Sequence, residues 1–434
     1  MSYPKTVSTM APSLGMERDR TGAIAWRPTA GRPAVRLGAE TAAALRLAWR
    51  ATWTTRLLAW AAGVGALLVW GTSGREADFD PAGLTSPFAA FGDLVFGPAA
   101  RWDSSWYLGI ADNGYGAGGS PAFFPLYPLL VRAGGWIVGS PLVAGVLVSG
   151  ACLVVALAAL HELTRLELGA GAARWTVVAL ALSPVSFFFS AVYSESLFLA
   201  LSVGALLAAR RERWWWAGVL GGLAAATRSA GIVLLVPLAL LAWQQGPRLR
   251  VALALALVPA GLGAYLAGLA LAGHDAFAPF HVQEVWYREW AGPFGGVRDA
   301  AVAAWEGVRQ LLSGRHDVAY FTKAGGDPMV VARMNLLLFA FLLAGVVALV
   351  GAARRLPRAY AAYALAALAL PLSYPVGPQP LMSLPRFELV LVPLWMWWGW
   401  WLHGHPRWRV PALGLSAAGL VGFSAIFSTW HFIA

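Results

Sequence analysis

Apolar runs of roughly membrane-spanning length are the feature that most limits what this chain can become. They cover 54–72, 141–160, 174–192, 195–209, 214–227, 230–245, 251–272, 331–352, 359–376, 387–402 and 409–430. A helix needs ~20 apolar residues to cross the hydrocarbon of a bilayer, and in lipid a helix satisfies its own backbone polar groups. An all-α polytopic membrane protein of about 11–12 transmembrane helices is therefore expected. The composition, 59% hydrophobic and 12% charged over 434 residues, excludes a set of soluble domains. A further apolar piece, 124–139, is short and carries Arg132 close to Pro121, Pro125 and Pro128. It reads as an interfacial or re-entrant segment, and whether it crosses stays open.

Charge supplies the orientation. The net charge is +11, but the arginines come in short clusters between apolar runs, without the aromatic-interleaved basic patches of a nucleic-acid binder. Lipid is the expected partner, and no nucleic acid. Four connections are basic: Arg210, Arg211 and Arg213; Arg248 and Arg250; Arg354, Arg355 and Arg358; Arg407 and Arg409. Two runs separate each from the next, so all four fall on one side, which the positive-inside rule makes cytoplasmic. The basic segment 1–53 joins them there and is expected to be partly disordered. It is too long for an ordinary signal peptide, so the run 54–72 is expected to remain as an anchor. Two large external segments result, 73–140 and 273–330, and they read as a folded cap over a site. The 23 tryptophans fit interfacial anchoring or sugar stacking equally well. The single cysteine, Cys152, lies in an apolar run and says nothing about compartment.

Four stretches could carry chemistry. RWDSSWYLGIADNGYG, 101–116, puts Trp102 four residues from Trp106 and Asp103 four from Tyr107, so one short helix would show an indole stripe beside a polar one. An interfacial helix in which Asp103 pairs with Arg101 is the alternative. Asp112, Asn113 and Gly114 read as a helix-ending turn. SPVSFFFSAVYSESLF, 183–198, has Pro184 inside an apolar run, with Ser183, Ser186 and Ser190 available to the freed backbone groups, and ends on Tyr193, Ser194 and Glu195. Glu195, ionisable between apolar helices, is a functional candidate or else a carboxylate wetted at the outer surface. ATRSAG places Arg228 at an outer turn, where the positive-inside rule gives it no reason to be. SLPRFELV places Arg386 and Glu388 at an outer mouth, after the proline-rich 374–380. A guanidinium suits phosphate oxygens, and snorkelling to headgroups is the competing account of each arginine. HExxH, CxxC, Walker and GxSxG patterns are absent and the histidines lack tight ligand spacing, so neither a metal nor a cofactor is expected. A metal requirement stays open.

At these residues the sequence resembles the bacterial relatives of the PIG-V-like mannosyltransferase family, most closely over 101–231 and more weakly toward LPRFELVLVP. The resemblance implies a GT-C type glycosyltransferase in a bacterial plasma membrane, with its active site facing away from the cytoplasm. Mannose would come from a polyprenyl-phosphate donor and pass to a glycolipid, glycan or protein acceptor. The family's Trp and Asp fall on Trp102 and Asp103, its Tyr-Ser-Glu-Ser on Tyr193 to Ser196, and its later arginine on Arg228. No residue of 273–330 can be carried over. On this reading Asp103 is the general base and Arg228 and Arg386 hold the donor phosphate. Trp102, Trp106, Tyr107, Tyr193 and Glu195 bind sugar or acceptor. A transporter or lipid flippase is the competing class, and a GT-C enzyme using arabinose or galactose is a second enzymatic possibility.

Overall fold

The structure, a computed structural model, describes residues 34–116, 118–246, 248–282, 287–317, 319–320 and 327–431. The chain divides into two units, 1–42 and 43–434. Of the basic N-terminal segment, residues 1–33 lie outside the described residues. Helix Ala34–Trp70 begins well ahead of the apolar run that starts at 54. Among the described residues the secondary structure is helical apart from one isolated antiparallel bridge, Arg288 with Val376.

Each of the eleven apolar runs contains helix, but the helices differ in length and some runs are broken. Among the described residues five helices are long and apolar enough to cross a membrane: Glu40–Trp70, Pro141–Leu168, Leu249–Leu271, Pro328–Arg355 and Pro406–Ser428. The chain is a multi-pass membrane protein. The remaining runs form shorter pieces, among them Ala170–Ala181, Glu195–Arg210 and Trp214–Ala225. A twelve-residue helix reaches only about 18 Å against a hydrocarbon core of about 30 Å. The doubtful piece is a 13-residue helix, Leu126–Val138. It buries Tyr127 and Val131 and exposes Leu129, Trp136 and Ile137. Gly139, with φ +79, ends it, and Ser140 caps the helix that follows, Pro141–Leu168.

The break around Pro184 shows how the chain turns inside the bundle. Helix Ala170–Ala181 stops, a 3₁₀ turn forms at Ser186–Phe189, and the next helix starts at Glu195. Proline removes a donor, and the last turn of a helix leaves carbonyls without partners. Ser186 Oγ donates to Ala181 O at 2.7 Å, and Ser190 Oγ donates to Phe187 O. The larger contribution comes from Arg56, buried on the first helix. It donates to Ala181 O at 3.0 Å, to Ser186 Oγ at 2.8 Å and to Ser186 O. A guanidinium at a helix C-terminus also meets the negative end of the helix dipole.

One helix sets the polarity of the bundle. Near the start of Pro141–Leu168, Ser149 donates to Ala191 O at 2.8 Å and shares a hydrogen bond with Tyr127 Oη. Near its end, Glu162 pairs with Arg165 and Arg211, while Glu167 pairs with Arg210 and accepts from Tyr360 Oη. Eighteen residues separate Ser149 from Glu167. At 1.5 Å per residue this is about 27 Å, close to one hydrocarbon thickness. The aromatic loops and the arginine clusters thus sit at opposite ends of a bilayer-length helix.

Candidate active site

Asp103 is the first residue of helix Asp103–Asn113, where the helix dipole favours a carboxylate. Trp102 precedes the helix with φ +53, so the two indoles do not form the helical stripe that their spacing suggests. Trp102 instead packs against Phe79 and Trp430, with centroids 4.7 and 5.7 Å away. Trp106 stacks on Phe123 at 5.7 Å with rings 14° apart. Gly114, with φ +82, donates back to Ile110 O and ends the helix.

The aromatic run 187–193 docks onto this helix start. The Asp103 backbone N–H donates to Tyr193 Oη at 3.1 Å, and Tyr193 Oη donates to Arg101 O at 3.2 Å. Tyr107 Oη and Ser194 Oγ share a hydrogen bond of 2.7 Å. Burial first, and the nearby Glu195 second, push the Tyr107 phenol up to about 12. Arg101 is not the partner of Asp103: its Nε donates to Ser428 O, which ties this loop to the last long helix.

Two guanidiniums close the cluster. Arg386, on the short helix Leu384–Leu389, donates through Nη1 to Asp103 Oδ2 at 2.5 Å and through Nε to Glu195. Its plane lies over the Tyr193 ring, 4.6 Å from the centroid. Arg228, just ahead of the 3₁₀ turn Ser229–Leu234, pairs with Glu195 and reaches Ser194 Oγ at 3.4 Å. Burial works against the charge on Arg386, but Glu195 and Asp103 outweigh it and hold the group firmly protonated. The two carboxylates differ in access. The Asp103 side chain is 24% exposed, whereas that of Glu195 is 0% exposed and lies behind the arginines. Glu195 is thus not a carboxylate wetted at the outer surface.

A cavity of about 790 Å³ opens over this cluster. Trp102, Asp103, Trp106, Tyr107, Tyr193, Arg228 and Arg386 line it, and Glu195 does not. The far wall carries a residue the sequence reading passed over, Arg288. It belongs to the segment 273–330, which pairs with the 373–376 segment through the Arg288–Val376 bridge and an Ala291 N–H to Ser373 O hydrogen bond of 3.0 Å. The sequence signal was an arginine between aromatics, Tyr287-Arg288-Glu289-Trp290, in a stretch without helical period. A smaller cavity, about 380 Å³, lies between Arg354, Arg355, Trp397 and Trp400 and has no carboxylate in its wall.

Residues 80–245 match the family described as mannosyltransferase (PIG-V). This segment holds Asp103, Tyr193, Glu195 and Arg228. The match to the PIG-V mannosyltransferase family lies in this segment, less than half of the chain. The chain is 36% identical over 154 residues to GPI alpha-1,6-mannosyltransferase 2 of Rattus norvegicus, covering 32% of this chain and 31% of that protein. The Homo sapiens enzyme of the same name is 32% identical over 152 residues, covering 32% and 30%. The chain thus spans about a third of the length of the curated relatives it matches. Among solved structures it is similar to the Archaeoglobus fulgidus oligosaccharyltransferase, with TM-score 0.40, 16% identity, and 72% of this chain against 45% of that one. It is also similar to ArnT from Cupriavidus metallidurans, with TM-score 0.34, 16% identity, and 73% against 71%. Arg386 and Arg288 lie outside the PIG-V segment and reach its cavity only through the fold.

Proposed function

We propose that this chain is a membrane glycosyltransferase of the GT-C type. It moves mannose from a polyprenyl-phosphate carrier to a hydroxyl of a glycolipid, glycan or protein acceptor at the extracytoplasmic face. One observation carries the reading. A partly exposed carboxylate, Asp103, is held by Arg386 on the wall of an aromatic cavity, inside the PIG-V segment.

Asp103 accepts the proton of the acceptor hydroxyl while that oxygen bonds to the anomeric carbon. The bond from this carbon to the phosphate oxygen breaks, and the carrier phosphate leaves with the electron pair. A base of this kind must lie within hydrogen-bond reach of the hydroxyl, and of the two carboxylates only Asp103 reaches the cavity. Arg386 and Arg228 stabilise the departing phosphate charge. Trp102 and Trp106 offer indole faces to a sugar ring. Tyr193 fixes the backbone of Asp103, Tyr107 braces Ser194, and Glu195 positions the two guanidiniums from behind. The bilayer-length spacing between Ser149 and the cytoplasm-type arginine clusters supports an outward-facing site.

Purified protein in detergent, given radiolabelled polyprenyl-phosphate-mannose and a membrane extract as acceptor, tests this. Labelled product together with released polyprenyl phosphate is the expected result. Intact donor would instead support a transporter, and better use of an arabinose or galactose donor would keep the fold and change the sugar.

A further inference from the structure

Arg75, Arg228, Arg288 and Arg386 line the cavity against Asp78 and Asp103, four cations to two carboxylates, so its charges do not cancel. Asp103 and Glu195 are matched by Arg386 and Arg228 in one connected set of ion pairs. Arg288 stands apart. Its Nη1 donates to Tyr374 O at 3.1 Å and its Nη2 to Met382 O at 3.5 Å, and the group lies 5.6 Å from the Phe387 ring centroid. Among the described residues it has no carboxylate partner. Burial first, and the neighbouring charge of Arg386 second, lower its pKa to about 10. An anion placed between the two guanidiniums would offset both effects.

We infer that Arg288 is the primary anchor for a lipid-borne phosphate ester, and that it recruits this group to the cavity before Arg386 and Arg228 engage it. The inference rests on the transferase reading for its chemistry and deepens it. Arg386 and Arg228 must share with their carboxylates any bond they make to phosphate, whereas Arg288 bonds two carbonyls and has no carboxylate to share with. Those two carbonyls also hold the guanidinium plane, leaving its remaining N–H donors free to form a fork toward a phosphate. Tyr287, Met382 and Phe387 line the cavity beside it and give this wall the mixed character that suits a phosphate joined to an isoprenoid chain.

Binding of polyprenyl monophosphate and of neutral polyprenol to the full chain in detergent decides the matter. Wild type should prefer the phosphate, and Arg288→Gln should lose roughly 10- to 100-fold of that preference, the range expected for a hydrogen bond to a charged group. Arg288→Lys should retain part of it. Arg298→Gln, an exposed position paired with Asp299, should bind as wild type. An unchanged preference in Arg288→Gln overturns the inference. If that variant does not fold, Arg288→Lys decides, a weakened preference upholding the inference and an unchanged one overturning it. Inorganic phosphate that competes as well as the lipid assigns the site to free phosphate and overturns the lipid source. Arg288-dependent phosphate binding by a protein that transfers no sugar would uphold this inference while sinking the transferase reading. Sugar transfer with normal donor binding in Arg288→Gln would do the reverse.

Discussion

The Arg386 guanidinium hydrogen-bonds the Asp103 carboxylate at 2.5 Å across 283 positions of sequence. This bond joins the start of helix Asp103–Asn113 to the short helix Leu384–Leu389. On the proposed function, a donor phosphate that draws the guanidinium away would release this carboxylate oxygen to an acceptor hydroxyl, so donor binding and base availability would be linked.

Asp103→Asn keeps the shape and removes the base. Sugar transfer should fall by ~10²–10⁴-fold with expression and thermal stability near wild type. Near-normal turnover in this variant would take Asp103 out of the mechanism.

Arg386→Lys keeps the charge but loses the planar fork that meets Glu195 with Nε and Asp103 with Nη1. Donor-dependent kcat/KM should drop at least roughly tenfold, since one or more charge-assisted bonds are lost. Glu195→Gln should lower activity as well, although this side chain does not line the 790 Å³ cavity, because both guanidiniums lose their anchor. Full activity in Glu195→Gln would show that the arginines hold their places without it.

Tyr193→Phe removes one hydroxyl that accepts from Asp103 N–H and donates to Arg101 O. Two buried backbone groups lose their partner, at about 1–3 kcal/mol for each left unsatisfied. The expected readout is a lower unfolding temperature in detergent, with a smaller loss of turnover than in Asp103→Asn. Equal losses in the two variants would point to a direct chemical role for the phenol.

Much of the site was legible because the chain is so apolar. Against that background a run such as 101–116 stands out by its aspartate and tyrosine, and Glu195, Arg228 and Arg386 stand out as charges at the ends of helices. Their partnerships were not legible. Nothing in local spacing tells that Glu195 turns inward to hold two arginines, one of them 191 positions away. Trp102 was misplaced on the helix because the i, i+4 spacing is blind to a left-handed backbone one residue ahead of it. Arg288 lies in a region with no helical period to flag it. The count of apolar runs was plain, but length alone does not separate a full crossing from a helix broken by Pro184.

Arg56 is the clearest omission. It sits in the run 54–72, where an arginine among apolar residues merits a search for its partner. Arg56→Leu leaves Ala181 O and the Ser186 backbone with fewer donors, so a destabilisation of about 1–3 kcal/mol per orphaned group is expected. Thermal unfolding and protease sensitivity at 182–194 measure this. An unchanged melting temperature would mean that the serines suffice.

The helix Pro141–Leu168 has a mechanical consequence. It is fastened by hydrogen bonds at Ser149 to the aromatic loop and by ion pairs at Glu162 and Glu167 to the arginine clusters, so it acts as a strut of fixed length. A bilayer thicker or thinner than this strut must be met by tilt. On the proposed function the cavity opens near the headgroup plane, and tilt at the fastened end would lift or lower its mouth relative to a lipid-borne phosphate. The thickness of the host membrane would then become a parameter of substrate capture, set by where one helix places its polar residues.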